Sequence, residues 1–502
     1  MNYCRKEIFT DLIPTGDIKY DSEIVPVILN KSLSVHNENR DDIQKLQEYY
    51  YNQTEILKKI KTQQKDINNK VGIPYANIAV TTINSYCFST PFTRNSRNSD
   101  EDTTNKIKLF NDALDDDDYD SKTAEAEWNA GICALGYKYV RPATKEEKSK
   151  NIWFKTTGDL DPKNTFVVKQ NDIDKEPIFA CTYFDREKYD IQNKIFKKET
   201  VYNVYTKYHY WKIIKSDGQD GFTIEPQIVN NITMSAYPLS FGKLPIVEYV
   251  RKQDRTGDFE IGMSLIDSIN NLASSRVDDV QQAVDYILLL RDIATDTDDD
   301  IKKITNAVSS GILSFRSIPN AITQPDVSVL NTKINQSEVQ TLQDFLCHKV
   351  EETLNIPNRE TRGSSGDTGL AVESRAGYRS LENIAGLITL SAKKSENRML
   401  ETILAICKTE KECPFSSLNI NDIEIKANRN KVENITTASN AYATLRSSGL
   451  NDIDALNATQ LVPDAIGTSQ RNKKEKEENK NLELQSTTTI NNIKETKNET
   501  LV

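Results

Sequence analysis

Apolar positions recur three and four residues apart along several stretches of this chain, and that spacing predicts helices. In residues 39–70, NRDDIQKLQEYYYNQTEILKKIKTQQKDINNK, the stripe runs through Ile43, Leu46, Tyr49 and Tyr50, then Ile56, Leu57 and Ile60. A second helix is expected in GIPYANIAVTTINSYCFSTPFT, opened by Pro74 and stopped by Pro91. The stretch DALDDDDYDSKTAEAEWNAGICALGYKYVRP reads as an acidic cap, a helix through Trp128, and small residues leading into a strand. Its acid run, Asp115–Asp118, is expected to be a solvated loop. The period then changes. Residues 151–257 carry β-branched and aromatic runs such as NTFVVKQ, PIFACTYF, ETVYNVYTKYHYWKII and LPIVEYV, which predict strands.

Helical spacing returns over 258–290, through Phe259, Met263, Ile266, Ile269, Val277, Val280, Val284 and Ile287. Residues 291–330 interrupt it with an acidic knot, DIATDTDDD, and two strand candidates, SSGILSF and DVSVL, separated by Pro319 and Pro325. Helix resumes at about residue 335, where Asn335 serves as N-cap with Glu338 three residues on, and continues to Leu354. From about 370 to 408 a long helix carries Leu381, Ile384, Leu387, Met399, Leu400, Ile403 and Cys407. If straight it spans more than about 50 Å, with Gly377 and Gly386 as places to bend. Between these two helices lies NIPNRETRGSSGDTG, residues 355–369, which is small, polar and unable to build a core. Residues 419–430 predict a strand, 431–466 two short helices split by SSGL, and 467–502 a charged helix fraying into disorder.

A chain of 502 residues is too long for one ordinary core, so two or more substructures are expected. Hydrophobic residues make up 37% and the mean hydropathy is -0.60, which points to an elongated, assembled or partly disordered chain. The net charge of -10 argues against sequence-specific DNA binding but not against DNA as a passenger that must not stick. Seven scattered cysteines without a CxxC suggest free thiols in a reducing compartment. The N-terminal stretch lacks an apolar signal core, and the longest aliphatic run, YILLL, is too short to span a bilayer. The expectation is a soluble, cytoplasmic chain with no membrane partner.

Candidate chemistry is sparse. No GxxxxGK[ST] occurs, and His36, His209 and His348 form no metal-spaced pair, so they read as structural or surface residues. DTDDD at 296–300 begins like a calcium loop but lacks its turn glycine and final glutamate. Asp422, Glu424 and Lys426 mimic the D…ExK pattern of metal-dependent nucleases, although Asp422 sits too close to the pair for the usual arrangement. No metal or cofactor is expected. Taken alone, residues 355–369 read as an ordinary surface loop between antiparallel helices.

The order of elements resembles the portal protein family of tailed bacteriophages, the Gp6-like type, over roughly residues 40–465. The segments that carry the likeness are YYYNQTEILKKIK with NNKVGIPYANIAVTTINSYCFSTPFT, the small-residue turn AEWNAGICALGYKYV, the strand-to-helix stretch FGKLPIVEYVRKQDRTGDFEIGMSLIDSINNLASSRVDDVQQAVDYILLL, and SSGDTGLAVESRAGYRSLENIA. The resemblance implies an α+β, mostly helical subunit with wing, stem, clip and crown, assembling into a ring that is dodecameric in the family. Such a ring sits at one capsid vertex of the virion after assembly in the host cytoplasm. It is not an enzyme. Double-stranded DNA passes through its channel without sequence-specific contact during packaging and ejection, so the ring is a head–tail connector. Its partners are the terminase large subunit, the head–tail adaptor, and the major capsid and scaffold proteins.

By the same likeness, residues 1–257 are the wing, 258–290 a stem helix, 291–330 the clip, 331–354 the second stem helix and 355–369 the tunnel loop. Residues 370–430 are the long helix with a wing strand, and 431–466 the crown. The insert at 291–330 and the tail 467–502 match no family pattern. In the tunnel loop Arg359 and Arg362 would form a circle of positive charge touching phosphates. Gly363, Gly366 and Gly369 would keep the loop deformable, and Ser364, Ser365 and Thr368 would offer weak hydrogen bonds. Two alternatives stay open: an assembly adaptor without a DNA channel, and a metal-dependent nuclease built on Asp422, Glu424 and Lys426.

Overall fold

Helix α1, Ile18–Tyr50, begins well before the stripe that predicts it, and Pro26 lies inside it. An interior proline removes a backbone donor and crowds the preceding turn, costing about 3 kcal/mol. Burial outweighs that cost. Ile24, Val25, Ile28 and Leu29 pack with Phe166, Val168, Phe179 and Trp211, and each fully buried aliphatic side chain contributes about 1.5–3 kcal/mol. The helix stops at Tyr50, so the expected continuation through Ile56, Leu57 and Ile60 is replaced by a 3₁₀ turn, Glu55–Lys58, with Leu57 and Ile60 exposed.

The computed structural model describes residues 4–61, 67–97, 100–190, 194–216, 221–229, 232–284, 287–291, 326–330, 336–357, 378–429, 435–459, 461–462 and 465–477, with the single positions 299, 302 and 479. The predicted strand SSGILSF, the N-cap Asn335, the stretch 370–377 with Gly377, most of DTDDD and nearly all of the tail past 477 lie outside the described residues. In chain order the elements are β1 (Ile8–Thr10), α1, α2 (Tyr75–Phe88), β2 (Thr93–Ser96), α3 (Glu101–Asp116), α4 (Tyr119–Cys133), β3 (Leu135–Pro142), α5 (Lys145–Lys148), β4 (Phe154–Thr157), β5 (Thr165–Gln170), β6 (Pro177–Asp190), β7 (Ile195–Thr206), β8 (His209–Ser216), β9 (Thr223–Glu225), β10 (Gln227–Val229), β11 (Ile232–Met234), β12 (Tyr237–Pro238) and β13 (Ile246–Val250). There follow α6 (Met263–Val284), β14 (Ile287–Arg291), β15 (Asp326–Leu330), α7 (Gln336–Thr353), α8 (Tyr378–Lys408), β16 (Ile423–Lys426), α9 (Ile435–Ser447) and α10 (Asp452–Thr459). Residues 465–477 are helical. The fold is α+β.

The chain divides into a larger unit, Met1–Tyr50, Ala76–Ile261 and Leu354–Val502, and a smaller one, Tyr51–Tyr75 and Gly262–Thr353. In the larger unit one sheet runs β1-β5-β6-β7-β8-β12, with β9 also on β8; β13-β3-β4 form a second and β16-β2 a third. Among the described residues, only β1 on β5 is parallel in the first sheet. Helix α4 runs straight into β3 as its small residues predict. The contact is tight enough that a Cβ at Gly136 would fall 1.9 Å from the Ala126 carbonyl oxygen. A core of Phe110, Tyr119, Phe154, Tyr249, Met399, Leu400, Ile403 and Phe415 gathers α3, α4, β4, β13 and α8.

Two local expectations are corrected. The acid run 115–118 is a solvated loop only in part: Asp115, Asp116 and Asp118 are exposed, but α3 extends through Asp116, and Asp117 is buried, accepting the Thr156 backbone N–H at 3.1 Å and pairing with Lys122 at 2.9 Å. In the smaller unit, residues 287–290 are not the end of a helix. ILLLR is strand β14, antiparallel to β15, from Ile287↔Leu330 to Arg291↔Asp326. A short apolar run has no period of its own, and pairing with DVSVL decides its conformation.

Candidate functional site

The predicted loop residues Arg359, Arg362, Gly363, Ser364, Ser365, Gly366, Thr368 and Gly369 all lie outside the described residues, within 358–377. The residues on either side are described. Helix α7 ends at Thr353, and Asn355 follows it with φ of 56°, the left-handed conformation in which asparagine often terminates a helix. Its side-chain oxygen accepts a hydrogen bond from the Ser380 hydroxyl, in the first turn of α8. The ends of the intervening segment are thus tied together.

Helix α8 is anchored through a buried charge. Glu396 accepts from Tyr249 OH at 2.7 Å and Tyr119 OH at 2.8 Å, with Thr123 Oγ1 at 3.1 Å, Lys138 Nζ at 3.6 Å and Arg94 Nη2 at 3.8 Å. Arg94 in turn pairs with Asp120 at 2.6 Å. Lys138 Nζ donates to Thr123 at 2.6 Å and lies 3.2 Å from the centre of the Tyr119 ring. Burial pushes the Glu396 carboxyl up, but the two cations and the hydroxyl donors outweigh it and hold its pKa below the usual range. At Lys138 burial dominates, and its pKa falls to about 8. Beside this group Arg251 pairs with Asp258 at 2.6 Å and reaches Glu127 at 3.4 Å. Burial drives the Glu127 carboxyl up to about 8.

In the smaller unit, Asn270, Ser274 and Asp278 stand four residues apart on one face of α6. They accept the backbone N–H groups of Ile73, Val71 and Asn69 at 2.8, 2.9 and 2.7 Å. Arg276 Nη1 donates to Gln340 of α7 at 2.8 Å. Val277 and Val280 on α6 and Leu342 and Phe345 on α7 are exposed. The charges on α6 are Asp267, Asp278 and Asp279 against Arg276; those on α7 are Glu338, Asp344, Glu351 and Glu352 against Lys349, so both helices are net acidic.

The nuclease-like trio is not brought together as a site. Asp422 caps its own 3₁₀ turn by accepting the Asn419 N–H at 2.9 Å, while Glu424 pairs with Lys426 at 3.5 Å and Lys426 donates to Asn457 at 2.9 Å. His36 is buried and bonded to the Lys163 carbonyl at 2.9 Å, and His348 is exposed beside Glu351, matching their reading as structural or surface residues. Sequence reasoning missed the Asn355–Ser380 tie and the Glu396 network. The polar ladder on α6 did leave a signal, since Asn270, Ser274 and Asp278 keep a spacing of four inside an apolar stripe.

The described residues thus hold tied loop ends, a long anchored helix and an acidic helix pair with bare apolar positions. The chain belongs to the phage portal protein family of the SPP1 Gp6-like type, whose model matches residues 29–481. It is similar to the portal protein of Bacillus phage SPP1, at 24% identity over 373 residues. That match covers 72% of this chain and 65% of the relative, just under two thirds of its length.

Proposed function

We propose that this chain is the subunit of a phage portal: a ring at one capsid vertex that passes DNA during packaging and ejection. Membership of the family across residues 29–481 carries the reading. The exposed Val277, Val280, Leu342 and Phe345 support it, because apolar positions bare on a single chain are suited to contacts between copies. In this reading the ring is a dodecamer assembled with capsid and scaffold proteins. Residues 258–290 and 331–354 form the stem, 291–330 the clip, 355–369 the tunnel loop, 431–466 the crown, and 1–257 with the long helix and strand of 370–430 the wing. The clip docks the terminase large subunit and later the head–tail adaptor.

Double-stranded DNA is a passenger. Each phosphate neutralised by the wall adds salt-dependent affinity and so acts as a brake. The acidic balance of α6 and α7 suits a bore that DNA slides through, and Arg359 and Arg362 supply brief phosphate contacts. Negative-stain microscopy tests the proposal. The expected result is rings with a central hole, from the chain alone or co-expressed with scaffold and capsid proteins. A monomer under all these conditions overturns it, and assemblies without a hole favour the adaptor.

A further inference from the structure

Among the described residues of the larger unit, β16 pairs only with β2, leaving its other edge free. Beside it lies a groove of about 830 Å³ lined by Thr389, Leu390 and Lys393 of α8, by Glu424 and Lys426 of β16, and by Val462. Three observations mark it as a binding groove. Thr389 is only 6% exposed, yet its hydroxyl has no hydrogen-bond partner among the described residues, a state that costs about 1–3 kcal/mol when nothing fills it. Leu390, one residue on, is 67% exposed. Lys393, one turn further along the same face, has no ion-pair partner among the described residues, and with Lys426 and Arg429 it outweighs Glu382 and Glu424.

The chain itself carries a matching plug. The turn between β5 and β6 presents Ile173, 99% exposed, between Asp172 and Asp174. The turn is braced: Asp172 accepts the Lys175 N–H at 2.7 Å, Asn171 donates to Asp11 at 2.8 Å, and the Gln170 N–H donates to the Glu176 carbonyl at 2.8 Å. A braced turn that holds an isoleucine fully in water between two carboxylates has no partner for it among the described residues.

We propose that, in the ring of the preceding section on which this inference rests, the Ile173 turn of one copy seats in the β16–α8 groove of the next. Ile173 covers Leu390 and Val462, the flanking aspartates face Lys393 and Lys426, and a polar group of the turn satisfies the Thr389 hydroxyl. Plug and socket are different surfaces, so the contact is heterologous and its repetition propagates around a ring.

The test uses the full-length chain. Ile173→Cys and Leu390→Cys are made in separate preparations, one isotopically labelled, and the two are mixed before assembly and treated with a short bismaleimide. Mass spectrometry should find positions 173 and 390 joined between labelled and unlabelled copies. Asp174→Lys should raise the concentration needed for assembly about tenfold, the scale of a modest interface hot spot, and Lys393→Asp in the same chain should restore it. Rings that form without the 173–390 link, or an Asp174→Lys chain that assembles like wild type, overturn the inference and leave the ring standing. A wild-type chain that never forms rings overturns both. Displacement of the turn from the groove by a capsid or scaffold protein, with rings intact, assigns the groove to that partner instead and also overturns it.

Discussion

The backbone N–H of Asn69 donates to Asp278 Oδ1 at 2.7 Å, and the Asn69 side-chain amide donates to the same oxygen at 2.8 Å. This is the last rung of the ladder that lays residues 69–73 along α6. The rungs fit because two residues of extended chain advance about 6.6 Å while four residues of helix advance about 6 Å. A helix surface can therefore satisfy every second N–H of a segment that belongs to no sheet.

Replacing Asp278 with alanine should cost about 2–3 kcal/mol, since it strips partners from the Asn69 N–H and from Lys61, which pairs with the same carboxylate. Amide hydrogen exchange at Asn69 and Val71 should accelerate, and normal protection in the variant would refute the ladder. Burial raises the Asp278 pKa, but hydrogen bonds from Lys61 and Asn69 outweigh it and the folded value is lowered. The ladder's contribution is then present at neutral pH and lost as pH falls below about 4.

Glu396→Ala should destabilise the larger unit by about 3–5 kcal/mol, because Lys138 and Arg94 stay buried without their shared carboxylate. Glu396→Leu combined with Lys138→Met should recover most of that loss, since both charges leave together. Urea unfolding of the single and double variants checks the pair. Equal losses in both would show that packing, not charge, sets the cost.

For Glu127 the folded pKa of about 8 lies above the usual carboxylate value. A group raised on folding contributes stability that is full below about pH 4 and is lost as pH rises to about 8. Glu127→Gln has no proton to lose, and Arg251 keeps Asp258. The variant should therefore gain on wild type between pH 5 and pH 9 in thermal melts. A constant difference across that range would contradict the burial of a protonated Glu127.

In the proposed channel, Gly363→Pro with Gly366→Pro should stiffen the tunnel loop and lower packaged or retained DNA while rings still form. Arg359→Ala with Arg362→Ala should act in the same direction, more mildly. Genome content per particle and microscopy of the rings separate the two effects. Normal packaging by both variants would place the loop's role elsewhere.

Replacing residues 292–325 by Asn-Gly should close β14 and β15 into a hairpin, because Arg291↔Asp326 is the last pair of an antiparallel ladder. Circular dichroism should show the rest of the chain folded while packaging is abolished. Packaging at wild-type level would remove the clip assignment.

Much of this fold could be read before any coordinates. The α2 and α7 stripes, the small-residue passage from α4 into β3, the strands after residue 151 and the α9–α10 pair all follow from which face of a local element is apolar. The portal family was recognisable from the order of these elements. Other features were decided only by partners far away in the chain. Pro26 stays inside α1 because the sheet carrying Phe166 and Trp211 buries the turns on either side of it. ILLLR reads as helix until DVSVL pairs with it. Asp117 reads as solvated until Thr156 reaches it. Glu396 reads as one more charge on a long helix until Arg94, Tyr119, Thr123, Lys138 and Tyr249 close around it. Periodicity reports which side of an element avoids water, whereas the choice of partner depends on desolvation and hydrogen-bond geometry between residues separated by up to several hundred positions.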